Sequence, residues 1–163
     1  MKNQLQQLLD AGQSVWLDNL RRSMFASGEL QRLIDRGLRG MTSNPSIFEK
    51  AIGTGNDYDE QLRSLIGTEK NAESLFWDLA IADIQSACDA FSPVFMSAGG
   101  HDGFVSLEVS PLLAHDTTGT IAMAKDLWAR VNRPNLMVKI PGTNEGIDAI
   151  EESIFAEIGR AHV

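Results

Sequence analysis

Four short apolar runs, each followed by a stretch of helical periodicity, constrain this chain more than any other feature. The runs are SVWLDNL, LRGMTSN, FVSLEVS (Phe104 to Ser110) and LMVKI. FVSLEVS alternates with period two and is rich in Val, as a strand should. Helical spacing puts Leu30, Leu33 and Ile34 on one face before a Gly37 stop, and it puts Ile121, Ala124, Trp128 and Val131 on one stripe of Thr117–Val131. A long helix is predicted from Asn71 to about Phe91, with Leu75, Phe76, Leu79, Ile84 and Ala87 on one side, interrupted by Pro93. A final helix in TNEGIDAIEESIF should turn Ile147, Ile150 and Ile154 inward, and LQQLLDAG is a short amphipathic helix ended by Gly12. IGTGNDYDE and SAGGHDG read as loops, and Pro45 after Asn44 suits the first turn of a helix with Asn44 as its cap. Strands alternating with helices in this order predict a parallel α/β sheet.

The bulk composition limits what the sheet can serve. Length suits one domain, and 43% hydrophobic with 22% charged residues is globular. Net charge is -8 with no basic run, which disfavours nucleic acid but leaves room for a small anionic ligand. A single cysteine, Cys88, excludes an internal disulfide and fits a reducing compartment. The N-terminus lacks a signal peptide's apolar run, and no stretch approaches the ~18 apolar residues of a spanning helix. Together these predict a soluble, cytoplasmic chain with no membrane partner; the oligomeric state stays open.

Every predicted strand carries a polar residue at or near its C-terminal end: Asp18, Thr42 to Asn44, Glu108 and Lys139. In parallel α/β proteins that end faces the ligand. Each residue also has a plain alternative. Asp18 and Asn44 could cap helices, Glu108 could be a solvated strand end, and Lys139 could extend to the rim. Lys139 is the hardest to dismiss. An ammonium in an apolar strand is costly to bury, so a neutral amine comes within reach, and such an amine forms a Schiff base with a carbonyl. The protonated imine is an electron sink that lets an adjacent carbon–carbon bond break. Proton transfers in that chemistry need an acid/base, and Asp18 and Glu108 are the available carboxylates.

MTSNPSIFEKAI and NLMVKIPGTNEGIDAI resemble the two signature segments of transaldolases, and SVWLDN and VSLEVSP are similar to that family's first- and third-strand segments. The likeness runs from Ser14 to Phe155. It implies a (β/α)8 barrel (a TIM barrel) of the class I, Schiff-base aldolase type, of which about the first four β/α units are present. It implies transfer of a dihydroxyacetone unit from a ketose phosphate, sedoheptulose 7-phosphate or fructose 6-phosphate, to an aldose phosphate, with sugar phosphates as the partners. Carried over by motif, Lys139 is the Schiff-base lysine, Asp18 the acid/base of carbon–carbon cleavage, and Glu108 works with a water in carbinolamine dehydration. Asn44 hydrogen-bonds the dihydroxyacetone portion, and Thr42 and Ser43 line the same rim. No metal or organic cofactor is expected, because the lysine supplies the electron sink.

Other signals weigh less. GTG at Gly53 to Gly55 lacks the Lys-Ser/Thr of a phosphate loop. His101-Asp102 and His115-Asp116 have no coherent ligand spacing. Cys88, Trp16, Trp77 and Trp128 are expected to pack. A barrel with its helices takes ~250 residues, and the family's later-strand hydroxyls and phosphate-binding arginines have no counterpart in these 163 residues. EIGRAHV is what the start of a common sequencing adaptor encodes, so 1–156 is expected to be the N-terminal half of the barrel and 157–163 a foreign tail. A half-barrel leaves two open sheet edges. Alone it is expected to associate and to have little transferase activity. The alternatives are an aldolase that releases free dihydroxyacetone, as a fructose-6-phosphate aldolase does, the N-terminal part of a fusion with phosphoglucose isomerase, and a small non-enzymatic α/β binding module.

Overall fold

The computed structural model describes residues 3–67 and 71–158. Its centre is a four-stranded, wholly parallel sheet in the order β1-β2-β3-β4. The strands are β1 Trp16–Asp18, β2 Gly40–Thr42, β3 Val105–Glu108 and β4 Leu136–Lys139. The helices are α1 Gln4–Asp10, α2 Ser23–Ala26, α3 Glu29–Arg36, α4 Pro45–Gly53, α5 Asp59–Leu65, α6 Ala72–Ser97, α7 Thr117–Val131 and α8 Asn144–Phe155. Asp18 pairs with Thr42 in register, and Glu108 with Lys139; the Met41–Val105 pair between them puts Thr42 beside Ser106, so the first pair stands two residues before the second at the same C-terminal end of the sheet. Adjacent strands joined by helical crossovers are the pattern predicted for a parallel sheet.

The pleat sorts side chains by face. Leu17, Met41, Val105, Leu107, Leu136 and Val138 pack with the helices in the hydrophobic core. Trp16, Asp18, Thr42, Ser106, Glu108, Met137 and Lys139, at the alternate positions, take the opposite, inner face. Trp16 lies directly over Gly40, where an added Cβ would meet the indole at 2.4 Å. The core continues outward through Phe48, Ile84, Phe91 and Leu127.

Three expectations need correction. Helix α6 does not stop before Pro93 but runs through it to Ser97. Pro93 and Asp89, whose carbonyl loses its helical donor, both lie on the exposed side, where solvent is at hand for the freed carbonyl. Fully buried Phe91 and the edge-on Phe95–Phe104 pair at 5.5 Å hold the helix on both sides of the break. On α8, Ile147 and Ile154 are exposed at 57% and 59%, not inward, and Ile150 is partly buried. The helix instead buries Gly146, Ala149 and Ser153. Both stripes have helical spacing, and close packing on α7 selects the small one. Finally, the predicted loop IGTGNDYDE ends in helix α5, and α2 is a further short helix that periodicity did not reveal. Of the tail expected to be foreign, Ile158 is 4% exposed and joins the core; residues 159–163 lie outside the described residues. No described helix is long and apolar enough to cross a membrane.

Candidate active site

Lys139 ends β4 and Glu108 ends β3, one strand away and level with it. The lysine Nζ donates to Glu108 Oε2 at 2.9 Å and reaches the Ser43 carbonyl oxygen at 3.5 Å. Their side chains are 29% and 25% exposed, so the pair sits at the rim, screened from bulk water but within a ligand's reach. The apolar surroundings expected of Lys139 are those of its strand; the ammonium itself meets a carboxylate and a carbonyl.

On the same face, at the β1–β2 edge of the sheet, Thr42 donates from Oγ1 to Asp18 Oδ1 at 2.5 Å. A charge-assisted bond of this length fixes the carboxylate's orientation. Asp18 thus caps no helix; it projects from the end of β1. Asn44 does cap one: its Oδ1 accepts from the Ile47 amide at 2.9 Å at the start of α4. That bond assigns the side-chain oxygen, leaving the Nδ2 hydrogens pointing away from the helix and available to an acceptor.

Ser43 is fully buried, and its hydroxyl donates to the Ser106 carbonyl at 2.7 Å. The β2–β3 ladder carries one register pair, Met41 with Val105. Beyond it the serine hydroxyl takes over the bonding, which frees the Ser43 backbone to turn its carbonyl toward Lys139. Ser43 therefore reaches the site through its backbone, whereas Asp18, Thr42, Glu108 and Lys139 reach it through side chains. Sequence reasoning missed Ser106, two residues before Glu108 on the same face; its buried Oγ has no hydrogen-bond partner among the described residues. Strand alternation from Glu108 was the signal that could have found it.

Beside Asp18 opens a cleft of about 570 Å³. Asn19, Arg21 and Ser23 line it from the segment after β1, and Lys50, Thr54 and Asp57 from α4 and the segment that follows it. Behind it lies a buried polar cluster that sequence reasoning also missed. Asp83 on α6 is 2% exposed, accepts from Arg22 Nε at 2.8 Å, and accepts from the Tyr58 hydroxyl at 2.6 Å. Burial pushes the Asp83 carboxyl above its ordinary value, while Tyr58 and Arg22 pull it back. Burial and the adjoining Asp83 push the Tyr58 hydroxyl up as well. A charged residue on the apolar side of a helix was the available signal.

The two His-Asp pairs serve elsewhere. His115 faces Glu145 at 3.1 Å, and the Glu145 backbone amide and His115 hold that carboxyl below its ordinary value. Asp102 accepts from Ser14 Oγ at 2.8 Å. Among the described residues no three metal-ligating side chains converge.

The sequence profile of the Transaldolase/Fructose-6-phosphate aldolase family matches residues 15–159. A transaldolase of Thiobacillus denitrificans is 50% identical over 141 residues, 86% of this chain and 39% of that protein. A transaldolase of Saccharopolyspora erythraea is 51% identical over 147 residues, 90% of this chain and 40% of that protein. One of Trichodesmium erythraeum is 44% identical over 153 residues, 93% and 40% of the two chains. The chain thus spans about 40% of the length of these curated relatives.

Proposed function

The chain belongs to the Transaldolase/Fructose-6-phosphate aldolase family, and we propose that the protein transfers a dihydroxyacetone unit between sugar phosphates through a Schiff base on Lys139. In the barrel of that family the four parallel strands described above form one part of the wall, and their C-terminal ends carry the chemistry. The observation that supports the reading best is the Lys139 ammonium 2.9 Å from Glu108, on the rim that also carries Asp18.

The steps follow from these positions. Lys139, once it has given up a proton, attacks the C2 ketone of fructose 6-phosphate or sedoheptulose 7-phosphate. Glu108, through a water, assists loss of the carbinolamine hydroxyl and leaves the imine. Asp18 takes the proton of the C4 hydroxyl as the C3–C4 bond breaks. The aldose phosphate leaves, and the bonding electrons rest in the enamine. Addition of that enamine to a second aldose phosphate reverses the sequence, with Asp18 returning the proton. Thr42 keeps Asp18 aimed throughout, and the Asn44 amide donates to the bound three-carbon unit. The residues that would bind the phosphates are not among those on this rim, so we assign full transfer to the protein at its relatives' length and little to these 163 residues alone. Such a reaction belongs in the pentose phosphate pathway, in the cytoplasm.

Borohydride reduction in the presence of fructose 6-phosphate tests the reading. A reduced dihydroxyacetone adduct should map to Lys139 and vanish in Lys139→Met. An adduct on another lysine, or its survival in that variant, rejects the assignment. Omitting the acceptor aldehyde distinguishes a transferase from an aldolase, since only the latter keeps releasing free dihydroxyacetone.

A further inference from the structure

The cluster behind the cleft has a geometry that packing alone does not require. Asp83 uses both carboxylate oxygens. Oδ1 receives Arg22 Nε at 2.8 Å and Nη2 at 2.7 Å, and Oδ2 accepts from the Tyr58 hydroxyl at 2.6 Å. The triangle closes because the Arg22 guanidinium lies 4.2 Å from the centre of the Tyr58 ring. Asp83 is 2% exposed and Tyr58 equally buried.

Arg22 and Tyr58 come from the two segments that wall the cleft. Arg22 lies between Arg21 and Ser23, both in the β1–α2 wall; Tyr58 follows Asp57, in the α4–α5 wall. Neither α2 nor α5 has a side-chain cap to fix its start. Leu20 and Met24 bury the first segment in the core and Gln61 ties the second to the Asp78 carbonyl of α6, but the Asp83 carboxylate on α6 bonds side chains of both segments at once. A buried carboxylate is costly unless fully paired, so the arrangement is stable only when both walls dock at once.

We propose that Asp83 is a positioning residue that ties the two walls together and so sets the width of the cleft beside Asp18. The cleft is lined by Lys50, by Arg21, which is itself paired with Glu29, by the Asp18 and Asp57 carboxylates, and by hydroxyls from Ser23 and Thr54. That mix of carboxylates, hydroxyls and an ammonium suits the hydroxyl groups of a sugar, and this assignment of ligand rests on the function proposed above. Asp83 touches neither ligand nor reacting atoms; it acts through Arg22 and Tyr58.

The test compares Asp83→Asn and the milder Tyr58→Phe with the unaltered sequence, each in the protein at its relatives' length. In borohydride trapping at Lys139, both variants should raise the half-saturating concentration of fructose 6-phosphate by roughly tenfold, with the maximal trapping rate within about twofold. A residue that only adds stability would lower the melting temperature and leave half-saturation unchanged, and that result overturns the proposal. If the unaltered chain forms no adduct, the Schiff-base reading fails on its own and the clamp is judged by hydrogen exchange. Tyr58→Phe should speed exchange in 54–65 alone, and Asp83→Asn in both 54–65 and 19–27. Exchange unchanged in the second segment for Asp83→Asn means that the walls are held independently, and the clamp is wrong.

Discussion

Replacing Gly146 with alanine should damage the lysine-bearing rim from a position that touches no substrate. Helix α8 starts under its own approach loop. Thr143 Oγ1 accepts from the Gly146 amide at 3.0 Å and donates to the Ala114 carbonyl at 2.5 Å. A Cβ on Gly146 would lie 1.8 Å from the Pro141 carbonyl oxygen, a backbone atom that no rotamer change can remove. Carbon and oxygen approach to about 3.3 Å, so helix or loop must move by about 1.5 Å. Overpacking of this kind costs about 1–3 kcal/mol, and the weakened Thr143 cap about 1 kcal/mol more. The helix preference of alanine over glycine returns up to about 1 kcal/mol. The net loss is about 1–3 kcal/mol, or roughly 3–10 °C in Tm for a chain of this size. Gly119 is the control. It stands at the same place in α7, capped by Asp116, but the nearest atoms to its Cβ would be side-chain atoms of Asp116 and Leu113, at 2.4–2.9 Å. Those can rotate, so Gly119→Ala should cost less than about 1 kcal/mol. Thermal melts followed by circular dichroism rank the two. If Gly146→Ala melts as high as the unaltered chain, or higher than Gly119→Ala, the close approach of Pro141 to α8 is not a constraint and the reasoning fails.

Burial, helped by the charge of Asp89, pushes the Cys88 thiol up from 9.0 to about 12. The unfolded chain ionises it first, so its contribution to stability is whole below about pH 9 and lost as pH rises toward 12. At about 1.4 kcal/mol per unit the loss approaches about 4 kcal/mol. Urea unfolding from pH 8 to 11 should show a shallower decline in Cys88→Ala; equal slopes would mean that the thiol is not buried in the fold. The buried thiol should also resist alkylation at pH 7.5 until the chain unfolds. Gly40→Ala should expel the Trp16 indole, whose Cγ, Cδ2 and Cε2 occupy the space of the new Cβ, and break its Nε1 bond to Ser14 Oγ at 2.9 Å. Indole emission should shift to the red relative to the same substitution in a Trp16→Phe background, and an unchanged spectrum would place Trp16 off the inner face.

How much of this was legible in the sequence depends on whether the deciding interaction is local. The strand ends were readable because period-two alternation and a polar terminus are properties of single segments, and parallel order then aligns them. Asp18 falls level with Thr42, and Glu108 with Lys139, for that reason, while the two-residue offset between the pairs is set by the Met41–Val105 register. Pro93 misled because its local effect is real, but which side of α6 faces water is decided by Phe91 and Phe104, from outside the turn. Ile147 and Ile154 misled because α8 carries two helical stripes, and only contact with α7 chooses between them. Roles at the site divide in the same way. A residue type at a strand end suggests chemistry, but Ser43 turns its carbonyl rather than its hydroxyl to Lys139 because the β2–β3 ladder has its one register pair at Met41, which no reading of SNP could reveal.

The same distinction explains why Asp83 carries weight although it stands far from the rim. A catalytic carboxylate must face the ligand, so topology restricts it to the strand ends. A positioning carboxylate must reach two segments distant in sequence, so it belongs on the longest helix spanning them, which is α6. Arg22 and Tyr58 precede it by 61 and 25 residues, and the carboxylate is satisfied only when both have docked. A hydrophobic residue at position 83 could hold either wall by contact area, but it would tolerate sliding. Two oxygens with fixed lone-pair directions do not, and that geometric stiffness keeps the space beside Asp18 at one width.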